Sequence, residues 1–251
     1  MNPKINWLKT IQHSYVSAFQ VLTGLPRLVG LTVAVLSAVS CWIARLRDGG
    51  MSTMDLLVLF SGLQTIVTVP LQLGGYRLLL LGKTTKSWSS KTTKFFLLAV
   101  AVSTGNILAM LFLALWGTRL LRSPTWGDVA IALVLAISCC FLYARLTLML
   151  PALAIDARNA SFRQIWDMSR GRVWSVLATI TVTTFPVYVV LHFFPVSNPT
   201  EAFRNITLLD AVLYSMVCVS SNLLSIGALA ALYRWLAPTP ANQCADAAQL
   251  L

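Results

Sequence analysis

The chain has 251 residues, of which 57% are hydrophobic and only 11% charged, with a formal net charge of +11. So little polar surface excludes a single soluble globular domain and places the chain in a bilayer. With two histidines and eight acidic residues, it also has little material for acid–base or metal chemistry.

The first residues predict an amphipathic helix. Asn2 caps it, Pro3 takes its first position, and Ile5, Leu8, Tyr15, Phe19 and Leu22 recur at steps that suit one helical face. Lys4, Asn6, Lys9, His13, Ser17 and Gln20 fill the rest, and Trp7 lies near the start. Residues 1–27 are therefore expected to lie in the cytoplasmic headgroup layer, the alternative being an extension of the first span into water. A cleavable signal is not expected: the first long apolar run begins near Leu28, and no small-residue cleavage site follows it.

A membrane span needs about 20 apolar residues, and the candidates are about 28–44, 56–76, 95–116, 129–150, 173–194 and 208–233. The expected fold is all-α, a polytopic bundle of six transmembrane helices in three hairpins. It forms one domain over 1–236, with 237–251 as a disordered cytoplasmic tail. This division puts 14 of the 19 Lys and Arg residues on one side, leaving only Arg45, Arg47, Arg119, Arg122 and Arg204 on the other. That asymmetry places both termini in the cytoplasm of a bacterial-type inner membrane. The second helix of each hairpin ends at the cytoplasmic face with a Tyr and an Arg: Tyr76-Arg77, Tyr143 with Arg145, and Tyr233-Arg234. A threefold repeat of hairpins is one reading; ordinary interfacial residues are the other.

After the second span comes Lys83-Thr84-Thr85-Lys86, then Ser87-Trp88-Ser89-Ser90, then Lys91-Thr92-Thr93-Lys94. Four lysines without an acid are expected to attract anionic headgroups at about 1 kcal/mol each, with Trp88 anchored at the interface. A phosphate-bearing ligand is the sharper alternative. After the fourth span, Pro151 should loosen or end the helix, Ser161 with Gln164 forms a capping box, and Gly171 suits the end of a short helix between them. Phe162, Ile165, Trp166 and Ser169 are expected to face the bilayer. Arg163, Asp167 and Arg170 turn outward, and Arg163, Arg170 and Arg172 join the candidate lipid contacts. Counted at about 1.5 Å per residue, Arg77 and Arg234 reach the interface, whereas Arg145 stays roughly 6 Å inside the hydrocarbon. It either snorkels or pairs with Asp156 or Asp167.

Between residues 143 and 177, the sequence YARLTLMLPALAIDARNASFRQIWDMSRGRVWSVL resembles bacterial inner-membrane proteins related to the membrane domain of glycerophosphoryl diester phosphodiesterases. The resemblance rests on Arg145-Leu146, Leu150-Pro151, Asp156, Trp166, Arg170-Gly171 and Trp174, and the closing Ala231-Leu232-Tyr233-Arg234 is similar to that family's last helix. The phosphodiesterase relatives carry a separate soluble catalytic domain, for which this chain has no room. The resemblance thus implies a fold and does not imply hydrolysis.

Cys41, Cys139, Cys140, Cys218 and Cys244 fall in spans or in the tail and form no CxxC pair. No HExxH, phosphate-binding glycine loop or GxSxG elbow occurs. The spans hold neutral polarity instead: Gln64, Thr65 and Thr68 before Pro70; Ser103, Thr104 and Asn106; Thr181, Thr183 and Thr184 before Pro186; and Ser220, Ser221 and Asn222. Such residues join helices or lie along a polar path. The expectation is a non-enzymatic accessory or scaffold protein engaging anionic lipids, with a partner protein as a further candidate. The alternative is a small transporter with a polar path through Gln64, Asn106 and Asn222, and an enzyme of lipid headgroups comes third. No metal, cofactor or nucleic acid is expected. The sequence does not set the oligomeric state.

Overall fold

The computed structural model describes residues 7–82, 90, 92–105, 109, 126–155, 162–192 and 207–236. Among these it is all-helical, with α1 (Trp7–Gly24), α2 (Pro26–Asp48), α3 (Thr53–Leu81), α4 (Thr92–Gly105), α5 (Trp126–Ala154), α6 (Phe162–Ser169), α7 (Val173–His192) and α8 (Leu208–Leu236). α2, α3, α5, α7 and α8 are long and apolar enough to cross a membrane. The third expected span is described over α4, and nearly all of the rest lies outside the described residues.

Local chemistry sets the helix ends. Ser52 accepts the Asp55 N–H at 3.2 Å to start α3, and Thr207 and Asp210 cap each other reciprocally to start α8, at 3.1 and 3.2 Å. Gly82 and Gly171, at φ of +68° and +73°, adopt the left-handed turn that ends α3 and α6. Pro151 sits inside α5, which stops three residues later at Ala154.

α8 is the centre of the bundle, with 61% of its apolar window buried against 17–33% for the other four long helices. It packs against α1, α2, α3, α5 and α7. The C-terminal ends of α3, α5 and α8 meet at one end, where Arg77 donates to the Ala154 carbonyl and Arg234 to the Leu79 carbonyl. α4 begins there with Thr92, and α7 follows Arg172, whose guanidinium lies 4.5 Å from the Trp235 ring centre. We refer to this as the basic end.

α1 corrects part of the expectation from sequence. Its apolar stripe of Leu8, Tyr15, Phe19 and Leu22 does remain exposed, as a lipid-facing surface requires. Ser17, assigned above to the water face, is instead buried with Ser14, Ala18 and Val21, and α1 packs on α8, α7 and α3. Small residues allow the approach: a Cβ built on Gly227 would lie 2.3 Å from the Ser14 carbonyl oxygen and 3.2 Å from the Ala18 nitrogen. Tyr15 donates from its hydroxyl to the Thr183 carbonyl of α7 at 3.2 Å, next to the Val182 carbonyl that Pro186 leaves without its helical partner. The Thr183 hydroxyl itself is buried and has no partner among the described residues.

Candidate functional site

α3 places Ser61, Gln64, Thr65, Thr68, Gln72 and Tyr76 at steps of three and four residues, a polar stripe ~22 Å long on an otherwise apolar helix. The stripe faces a cavity of about 270 Å³ between α3, α4, α5 and α8. α8 contributes Asn222 and Ser225, α5 Tyr143 and Thr147, and α4 Ser103, while Ile226, Leu229 and Leu150 supply apolar wall. No lining residue is an acid, a base or a histidine. At ~30 Å³ per molecule, the space holds several waters.

The polar side chains of the bundle make two kinds of hydrogen bond. Many of the Ser and Thr hydroxyls turn back to the carbonyl four residues earlier, among them Thr32 to Leu28, Ser37 to Val33, Thr184 to Ile180 and Ser220 to Met216. These satisfy themselves and join nothing. At the cavity Thr65, Thr68 and Thr147 also bond back within their own helices, at 2.8, 3.2 and 2.9 Å, but there the Thr65 and Ser103 hydroxyls additionally bond across α3 and α4, and Gln72 Nε2 donates to Asn222 Oδ1 at 3.1 Å across α3 and α8. Asn222 Nδ2 in turn donates to the Cys218 carbonyl at 3.0 Å. Gln64, Ser225 and the hydroxyls of Tyr76 and Tyr143 line the same space with no hydrogen-bond partner among the described residues.

Tyr76 is the last residue of the polar stripe toward the basic end. Its ring is buried and meets Phe95 of α4 edge-on at 6.2 Å. Immediately beyond it, Arg77 donates from Nε to the Ala154 carbonyl at 2.9 Å and from Nη2 to the Thr92 hydroxyl at 3.0 Å, tying α3, α4 and α5 together. Arg77 is 5% exposed, so at its end of the bundle it is enclosed by protein rather than extended into the surroundings. The C-terminal end of α5 carries unpaired carbonyls and a partial negative charge, and a guanidinium satisfies both. Arg234 does the same for the end of α3.

Arg145 is also buried, 4% exposed. Its guanidinium carbon lies 3.4 Å from the Trp166 ring centre and 4.4 Å from that of Phe141, and Nη1 reaches the Trp166 carbonyl at 3.5 Å. The partner is thus a pair of rings and a carbonyl. Among the described residues no ion pair joins Arg145 to Asp167, which is exposed, and Asp156 lies outside them. In water the pairing expected from sequence is reasonable; in a dry setting, two ring faces compensate a guanidinium without burying a second ion. α6 is held against α5 by this contact and by the buried Ile165 and Ser169, which face the protein rather than the bilayer.

Of the other residues singled out from sequence, Lys94, Arg163 and Arg170 are exposed and Arg172 is half-buried over Trp235. Lys83, Lys86, Trp88, Lys91, Ser161 and Asn106 lie outside the described residues. Gln64 and Asn222 share the cavity. Sequence reasoning missed Gln72, Thr147 and Ser225 and took Tyr76 and Tyr143 only as helix-end residues, although the three- and four-residue spacing from Ser61 to Tyr76 was a signal in plain view. No protein-family model, curated protein or solved structure gives a significant match to this chain.

Proposed function

We propose that this chain is a small permease-like component of a bacterial inner membrane, with six spans in three hairpins and both termini in the cytoplasm. Its polar cavity holds a solute on the way across. The observation that carries this reading is the continuous polar stripe of α3 facing a space of about 270 Å³ with side chains left open to it. Helix association needs only a hydrogen bond or two, each worth about 0.6–2 kcal/mol in a membrane. Leaving further polar groups unpaired in hydrocarbon costs more than that association returns, unless water or a solute pairs with them. The test is thiol labelling in membranes, with the native cysteines replaced. Cysteines at Gln64 and Ser225 should react with a small water-soluble reagent, and one at Ile66, which is exposed on the outer surface of α3, should not. Failure of both cavity positions to react would sink the reading.

A second role, as an accessory or scaffold module on anionic lipid, is favoured by a different observation. Exposed Lys94, Arg163 and Arg170 ring the basic end together with Trp174, which is 64% exposed, the pairing of cation and indole that suits a headgroup layer. The two roles use different surfaces and are compatible. The likeness to phosphodiesterase membrane domains supports the bundle alone, and we propose no hydrolysis.

A further inference from the structure

We infer that the cavity takes a small uncharged solute rich in hydroxyl or amide groups, of the glycerol or urea kind, and rejects ions; this rests on the permease reading above. Charge is the first argument. Every polar group of the lining is neutral, and the two nearest buried cations are turned elsewhere, Arg77 to the Ala154 carbonyl and Thr92, Arg145 to Trp166 and Phe141. An ion entering the space loses its water and meets no countercharge, a penalty of several kcal/mol that a neutral solute escapes.

Valence is the second argument. After the internal bonds are made, Gln64 keeps a whole amide, Gln72 keeps its carbonyl oxygen and one N–H, and Tyr76, Tyr143 and Ser225 keep hydroxyls. Donors and acceptors are therefore mixed over one surface. A solute with both kinds of group in a small volume satisfies them, whereas an apolar solute leaves them all unpaired. Size is the third. About 270 Å³ falls just below the roughly 300–1,000 Å³ of ordinary ligand pockets, so the solute is smaller than a typical cofactor or drug.

The experiment measures flux in vesicles of a neutral lipid containing the full chain, with glycerol and urea as uncharged probes and, as probes bearing ionised groups, zwitterionic glycine and anionic phosphate. Glycerol or urea should cross faster than in protein-free vesicles, and glycine and phosphate should not. Gln64→Leu should lower the neutral flux about 3–10-fold, the worth of one neutral hydrogen bond. Because Gln64 makes no internal bond among the described residues, this change spares the fold. Asn222→Leu, which also breaks the bond to Gln72, should lower it further, and Ser138→Ala on the exposed face of α5 should leave it unchanged. Passage of glycine or phosphate without glycerol or urea overturns the neutral class and leaves a permease. No flux of any probe overturns both, and neutral flux untouched by Gln64→Leu places the route outside this cavity.

Discussion

Replacing Gly227 by Ala tests the seat of α1 on α8 with the smallest possible change. The added Cβ would stand 2.3 Å from the Ser14 carbonyl oxygen, and ordinary contact begins near 3.4 Å, so α1 has to retreat by about 1 Å. The obstructing atoms on α1 are backbone and the new methyl is fixed to the α8 backbone, so neither can swing away. A gap of that size forfeits a quarter to a half of each facing dispersion contact, and overpacking of this kind costs ~1–3 kcal/mol. Alanine returns ~1 kcal/mol through helix propensity, which leaves a net loss of up to about 2 kcal/mol. Gly30→Ala is the matched control, because a Cβ there meets nothing within 4 Å, and it should stabilise slightly. Thermal unfolding of the purified protein gives the energy, and hydrogen exchange over residues 7–24 shows whether α1 has loosened. A Gly227→Ala variant as stable as Gly30→Ala, with α1 fully protected, would refute the packing described here.

The three basic-end arginines should separate by burial. Arg77→Gln and Arg145→Gln should each cost ~1–3 kcal/mol in unfolding measurements, and Arg234→Gln, whose side chain is exposed, only ~0.3–1 kcal/mol; equal effects would contradict the geometry. In a double-mutant cycle Arg145→Gln should couple more strongly to Trp166→Leu than to Asp167→Asn. For topology, an impermeant thiol reagent applied to intact cells should spare Cys244 and label a cysteine placed at Ser197, and the reverse pattern would invert the orientation. Changing Lys83, Lys86, Lys91 and Lys94 to Gln should weaken retention of anionic lipid in proportion to the charges removed, with added salt mimicking the effect, while loss of all retention on changing one Lys would argue for a shaped pocket.

The long helices were legible because hydropathy over some 20 residues is a strong signal. Their ends ran further than the expected spans, Thr53–Leu81 against 56–76, since helices continue past the apolar window to a cap. The cavity was half legible. Gln64, Thr65 and Thr68 stood out before Pro70, but Gln72 and Tyr76 continue the same face beyond the proline, which does not interrupt α3. The seat of α1 was not legible, because Ser14 and Ser17 are small as well as polar, and in a membrane small size decides contact. The ring contact of Arg145 depends on α6 folding back over α5, a tertiary event that no local pattern encodes.

The position of α1 also bears on how the molecule is made. Its docking surface on α8 is synthesised roughly 200 residues after α1 itself, a wait of roughly 10–40 s at ~5–20 residues per second. Through that interval the first helix has its Ser14–Ala18 face unpartnered, and the apolar stripe on its other side gives it a place to rest at the membrane surface. The opening helix of the chain is then the last to be seated. A newly made protein cut or tagged within its first 24 residues should accordingly insert every span and still fail at the closing step.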